Sequence, residues 1–140
     1  MDLIPTFRYQ HKQIESIAIE IDARLTEQSL AEAEDDIRGL IRGLLTKMKI
    51  HHFLEEDILH PKLLQHHDRR VSSIAMRRAV EAEHLLDAIR LHREKWAPVD
   101  IVGNLASSYV TETRRLLSEL IQLLHLENAE FDLVETDPTH

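Results

Sequence analysis

The chain has 140 residues, a hydrophobic share of 43% and no cysteine, which excludes disulfides and thiolate metal sites and leaves only nitrogen and oxygen ligands. Its formal net charge of −8 argues against nucleic acid and anionic membranes as partners, since no basic stripe could neutralise phosphates. The start MDLIPTFRYQ does not resemble a signal peptide, and no apolar run reaches the roughly 18 residues needed to cross a bilayer, so a cytoplasmic protein is expected.

Helix-forming residues dominate the chain, and only 3 residues are glycine, so the composition predicts an all-α single domain over residues 1–140. A first helix is predicted over residues 5–25, where apolar residues recur at spacings of three and four. His11 falls in that apolar stripe, so its ring should face the interior. The polar residues 26–36 predict a connection to the next helix.

A second helix is predicted from about residue 37, with a stripe that includes Met48, His51 and Glu55. A four-residue step turns about 400° on an α-helix, so His51 and Glu55 project within roughly 40° of each other. They could therefore ligate the same metal or adjacent metals. Pro61 should end or kink this helix, because proline lacks an N–H and disfavours helical geometry at the preceding residue.

A third helix is predicted over residues 72–95, with Val80, His84, Ala88 and Leu91 on one face. The small side chain of Ala88, one turn beyond His84, would leave room beside the imidazole. His84 is therefore expected to face the interior.

A fourth helix is predicted from about residue 99, with Leu117, Ile121 and His125 on one stripe and a frayed tail over residues 135–140. Glu130 follows His125 by five residues, which places it about 140° away around the helix. Glu130 is therefore a weaker ligand candidate than Glu55.

Four helices with short connections predict an antiparallel up-down-up-down four-helix bundle. One histidine on each helix would then meet two carboxylates in a shared interior. The predicted ligands are His11, His51, Glu55, His84, His125 and Glu130. This nitrogen-and-oxygen set suits iron, manganese or zinc. A metal-free core with two carboxylates would be costly, because burying an unpaired charge costs several kcal/mol and a domain is stabilised by only about 5–15 kcal/mol.

The ordered motifs resemble the hemerythrin-like, or HHE cation-binding, family over nearly the whole chain. That family has a histidine on helix one, His-x-x-x-Glu on helix two, often continued as Glu-Glu-x-x-Leu-Phe-Pro, a histidine on helix three, and His-x-x-x-Glu or His-x-x-x-x-Asp on helix four. The similar segments here are Gln10-His11-Lys12-Gln13-Ile14, the run from His51 to Pro61 (HHFLEEDILHP), Glu83-His84-Leu85-Leu86, and His125 with Glu130. The proline sets the register on His51 and Glu55 rather than on His52 and Glu56.

The resemblance implies a non-heme di-iron centre that binds dioxygen, nitric oxide or a related small ligand, or senses iron. It implies no substrate. Oxygen carriers of this kind have two histidines one turn apart on helix three, but Val80 and Ala88 stand at that spacing from His84. Glu81 could substitute for the missing ligand, His52 could swing in from helix two, or water could fill the position.

Three classes of function remain open: a small-ligand or iron sensor, a di-iron redox enzyme acting on peroxide, nitric oxide or damaged iron sites, and a structural bundle with a degenerate or zinc site. An open coordination position favours sensing or redox chemistry over reversible oxygen carriage. No separate acid-base pair or cofactor motif supports an enzyme, so binding or sensing is preferred. The remaining histidines are expected on the surface: His60, His66, His67, His92 and His140. The sequence indicates neither an oligomeric state nor a signalling partner.

Overall fold

The computed structural model describes residues 3–135, and every regular element in that range is helical. The elements are α1 (Ile4–Arg24), α2 (Leu30–Leu54), a π-helical turn (Glu55–Leu59), α3 (His60–Leu64), α4 (Arg69–Trp96) and α5 (Asn104–Glu135). The π turn joins α2 to α3 without a break, so these three elements form one rod. The prediction of an all-α chain is confirmed, and residues 136–140 of the predicted frayed tail lie outside the described range.

Two predicted helix starts differ from the observed ones. The second helix begins at Leu30 rather than near residue 37, because alanine and glutamate after Leu30 favour a helix and the Leu30 side chain is buried. The last helix begins only at Asn104, after Gly103, whose φ of 57° lies in the left-handed region that glycine adopts without strain. The connection before α5 is therefore longer than predicted.

Pro61 was expected to end or kink the second helix. The helix does not end there but accommodates the proline with a local π turn. Proline cannot donate to the carbonyl four residues earlier, and its ring would clash with that carbonyl in a regular α-helix. The wider turn avoids the clash, and the His60 N–H bonds to the Glu55 carbonyl five residues earlier. The helix then continues to Leu64.

Buried positions along α1 and along one row of α5 alternate between steps of three and four residues, which is the spacing of left-handed helix packing. In α1 they are Ile4, Phe7, His11, Ile14, Ala18 and Ile21. In α5 the corresponding row is Leu117, Leu120, Leu124, Glu127, Phe131 and Val134. His11 and Glu127 therefore occupy core positions for the same reason as their apolar neighbours.

Ion pairs connect α1 to α5 along most of their length. Arg8 Nη2 lies 2.8 Å from Asp132 Oδ1, and Arg114 Nε lies 3.2 Å from Asp22 Oδ1. These pairs are largely exposed and contribute little stability individually. Burial of the apolar rows supplies the main driving force.

The core has two apolar clusters. The larger one extends from Ile14 towards Trp96 and Tyr109, and the smaller one surrounds Phe7, Leu59 and Phe131. His11 lies in sequence between Phe7 and Ile14 of these two clusters, so a polar layer separates them. Among residues 3–135, no helix is both long and apolar enough to span a membrane.

Candidate metal centre

Four buried side chains from three helical segments form a compact group. His11 comes from α1, His51 and Glu55 from the α2 rod, and Glu127 from α5. One ligand atom of each lies within 4.8 Å of the others, and all four residues are at most 5% exposed. The group thus has two imidazoles and two carboxylates, the donor types that iron, manganese and zinc accept.

Both imidazoles are fixed by side-chain amides on the side away from the group. His51 Nδ1 lies 2.6 Å from Gln10 Oε1, and His11 Nδ1 lies 2.7 Å from Asn128 Oδ1. An amide oxygen only accepts a hydrogen bond, so each Nδ1 carries the proton and donates it. Each ring therefore directs its Nε2 atom towards the group.

The two Nε2 atoms face each other at 3.0 Å. Two ring nitrogens at that distance require a proton or a metal ion between them or beside both, and the Glu55 carboxylate 2.5 Å from His51 Nε2 imposes the same requirement. Burial, followed by the neighbouring His51, lowers the pKa of His11 to about 4, so a proton on that ring is disfavoured at neutral pH. This arrangement fits a metal cation, whose ligands must be deprotonated imidazoles.

The carboxylates complete the donor set. Glu55 Oε1 lies 2.5 Å from His51 Nε2, and Glu127 Oε2 lies 3.8 Å from His11 Nε2. Burial alone would raise the pKa of Glu55, but the contact with His51 holds it well below its usual value. Burial and the nearby Glu55 raise the pKa of Glu127 well above the ordinary range, so without a cation Glu127 favours its protonated form.

A second polar layer adjoins the far oxygen of Glu55. Glu55 Oε2 and Glu130 Oε1 are buried and have no hydrogen-bond partner among the described residues. His60 Nε2 is 3.6 Å from Glu55 Oε2, beyond ordinary hydrogen-bond distance. Burial raises the pKa of Glu130 to about 7, against the opposing charges of His60 and Arg78. Unsatisfied buried oxygens are costly, so these oxygens could also accept a proton or a cation.

His84 and His125 do not face the interior, and that prediction is wrong. His84 is exposed on α4, and the His125 side chain is 60% exposed and lies 3.0 Å from Glu15 Oε1 on the surface. Both were placed by repeated steps of four residues, and each such step turns 40° too far, so the predicted faces drift away from the core. The buried row of α4 instead includes Leu85, one residue after His84.

The two alternative ligands also lie apart from the group. Glu81 is ion-paired to Arg78 at 2.8 Å and is 40% exposed. His52 is half-buried, with Nε2 3.1 Å from the exposed Glu56. Its buried Nδ1 has no hydrogen-bond partner within the described residues. Neither residue belongs to the compact group, whereas Glu130 is buried in the adjoining layer.

Sequence reasoning missed Glu127 and His60. Glu127 continues the row through Leu120 and Leu124, so alternating three- and four-residue steps along α5 would have found it. His60 was expected on the surface but is 7% exposed, because the π turn places it on the same side as Glu55. His92, also expected on the surface, is buried as well, whereas His66 is half-buried, His67 is exposed and His140 lies outside the described residues.

Comparison with protein-family models, curated proteins and solved structures finds no match for this chain. The resemblance to the hemerythrin-like family therefore rests on the sequence motifs. The case for a metal centre rests on the geometry of the four buried side chains.

Proposed function

We propose that this chain is a non-heme metal-binding protein of the hemerythrin-like kind, which holds iron in its interior and binds or senses a small ligand there. The single observation that carries the proposal is the pair of imidazole Nε2 atoms 3.0 Å apart, each with its Nδ1 committed to an amide oxygen. Two buried carboxylates lie beside them. A cation at this place would accept both Nε2 lone pairs and compensate the buried negative charge.

Residues His11, His51, Glu55 and Glu127 would hold the first cation. The free oxygens of Glu55 and Glu130, together with the His60 imidazole, could hold a second cation, so that Glu55 would belong to both donor sets of a di-iron centre. When bound, iron supplies redox chemistry and open positions for small exogenous ligands. Gln10 and Asn128 orient the two imidazoles by accepting their Nδ1 protons.

The charge of the buried carboxylates limits how many divalent cations the site can balance. Glu55, Glu127 and Glu130 would carry three negative charges when ionised, and Arg78 lies close enough to influence the last two. One divalent cation together with Arg78 would neutralise the three carboxylates. Two divalent cations would leave an excess of positive charge that an anionic or electron-rich small ligand could offset.

The space beside the group favours a small ligand over an organic substrate. A cavity of about 30 Å³ adjoins His51, Glu55 and Glu127, and its other walls are mainly apolar. This is about the volume that one water molecule occupies in the liquid. A diatomic molecule fits such a space, so binding or sensing is preferred over an enzyme that acts on a larger molecule.

The same proposal includes an antiparallel up-down-up-down bundle. The order of contacts supports it: Arg8, Glu15 and Asp22 of α1 meet Asp132, His125 and Arg114 of α5, so the partner numbers fall as the α1 numbers rise. Lys95 near the end of α4 likewise meets Glu112 near the start of α5. Short connections between successive helices favour the same topology.

The experiment is the metal content of protein purified without added metal, with absorption spectra recorded in air and after reduction. One or two irons per chain, with near-ultraviolet absorption that changes on reduction, would support the proposal. The number of irons would separate a mononuclear centre from a di-iron centre. Zinc alone, or no metal and no uptake of ferrous iron under anaerobic conditions, would overturn the iron assignment and favour a structural bundle.

A further inference from the structure

A second cavity, of about 150 Å³, lies away from the metal centre between α2, α4 and α5. On the α2 side it is lined by Ile41 and Arg42, which precede His51 by about ten residues, or roughly 15 Å of helix. None of the four residues of the metal group lines it. It is therefore a separate candidate site.

Aromatic rings form one wall of this cavity. His92, Trp96 and Tyr109 line it together. The rings of His92 and Tyr109 stack with centroids 5.5 Å apart, and Trp96 meets Tyr109 edge-on at 5.2 Å. These contacts hold the rings in place, so the wall is a preformed surface for another flat ring. Protein cavities of about 150 Å³ accommodate a single benzene ring.

Positive charge lies at the same cavity, although the chain as a whole is strongly acidic. Arg38, Arg42 and Arg93 line it. Arg38 is already engaged, with Glu34 at 2.8 Å and the Trp96 carbonyl at 2.9 Å. The guanidinium groups of Arg42 and Arg93 have no hydrogen bond or ion pair to any described residue, so both remain available to an anion.

His92 does not add a charge. The Thr113 hydroxyl donates to the Tyr109 carbonyl at 2.6 Å, so it accepts a hydrogen bond from His92 Nε2 at 2.9 Å. The proton on Nε2 leaves the ring neutral unless Nδ1 is protonated too. The imidazole is thus part of the aromatic wall, and Arg42 and Arg93 provide the cationic part of the cavity.

We propose that this cavity, formed by the His92, Trp96 and Tyr109 rings and by Arg42 and Arg93, binds a small aromatic carboxylate with one six-membered ring. The ring would lie against the aromatic wall, and the carboxylate would accept hydrogen bonds from the two free guanidinium groups. Guanidinium forks match the planar geometry of a carboxylate.

The test uses benzoate as the probe and the fluorescence of Trp96, the single tryptophan of the chain, as the signal. We expect a saturable change with a Kd of about 1 mM or tighter and one benzoate per chain by calorimetry. Benzyl alcohol, which keeps the ring without the charge, and inorganic phosphate, which keeps the charge without the ring, should each bind at least tenfold more weakly. Equal binding of phosphate and benzoate, or no saturation with benzoate by about 10 mM, would overturn the proposal.

Substitutions at exposed arginines keep the test independent of folding. Arg42→Gln and Arg93→Gln should each weaken benzoate binding about tenfold. Arg69→Gln, at the opposite end of α4 from Arg93, should leave it unchanged. An equal loss in all three variants, or no loss in the first two, would contradict the assignment. All three variants should retain the metal content of the wild type, so failure of this proposal is distinguishable from failure of the metal centre.

Discussion

Imidazole rings are buried in two regions of this chain, and the groups around them differ in kind. At the Trp96 end, His92 donates to Thr113 and stacks on Tyr109, and its Nδ1 lies 3.8 Å from the half-buried carboxylate of Glu112. At the metal centre, the Nε2 atoms of His11 and His51 lie 3.0 Å apart, and two buried carboxylates lie beside them. Burial of a histidine is therefore a poor indicator of a metal ligand. Two opposed ring nitrogens with buried carboxylates beside them are a better one.

Removal of a metal ligand should have the largest effect on the iron content, which is where the two regions are expected to differ. His51→Ala should reduce the iron content per folded chain at least about tenfold, because it removes one of four ligands and leaves Glu55 without its partner. His92→Gln is the matched control, since it alters an imidazole that is buried to a similar degree. Elemental analysis of both variants checks the prediction, and equal iron content would show that the two regions do not differ in metal binding.

Glu127→Gln should change metal binding and metal-free stability in opposite directions. Iron affinity should fall about a hundredfold, because an anionic ligand becomes neutral. The metal-free protein should gain free energy of unfolding at neutral pH, since burial of the side chain at position 127 no longer requires a proton. Competition with a chelator and urea unfolding measure the two quantities. Exposed Glu119 on the same helix provides the control, Glu119→Gln, which should alter neither.

Substitution of an amide that orients an imidazole should have a smaller effect on iron affinity. Gln10→Ala should lower iron affinity about tenfold, because His51 loses the acceptor that fixes its tautomer and ring orientation. Gln10→Glu, which keeps an acceptor at that position, should bind iron more tightly than the alanine variant. The same chelator competition distinguishes the two, and identical affinities would show that the amide has no orienting role.

The pH dependence of stability should include a contribution from His92. Burial lowers the pKa of His92, so below about pH 6.5 the unfolded chain takes up a proton that the folded chain resists. The free energy of unfolding of metal-free protein should therefore fall as the pH decreases through that range. His92→Gln should make this fall shallower. Urea unfolding at a series of pH values measures it, and an unchanged slope would mean that His92 is not protected from protonation.

Substitution of the surface histidines should have the smallest effect on iron content. His84→Ala and His125→Ala should retain the wild-type iron content and absorption, because both side chains are exposed and lie outside the compact group. A loss of iron in either variant would restore the sequence-based assignment and would require a different packing of α4 or α5.

The sequence by itself determined the helical class and the inward faces of the first two helices. Along α1 and α2 the apolar residues mark both the three- and the four-residue steps, so the phase of His11, His51 and Glu55 could be read directly. Leucine-rich α5 offers several competing stripes, and α4 has few large apolar residues, so four-residue steps alone selected the wrong faces for His84 and His125.

Only the tertiary structure decided which polar residues meet. Glu127 becomes a candidate ligand because α5 packs with the row from Leu117 to Val134 inward, and sequence spacing cannot show which of several leucine stripes a neighbouring helix will cover. His60 enters the polar layer because Pro61 forces a π turn, which shifts the phase of the helix locally. The distance of 3.0 Å between the two Nε2 atoms depends on the packing of α1 against α2, and residues 40 positions apart in the chain acquire such a relation only through folding.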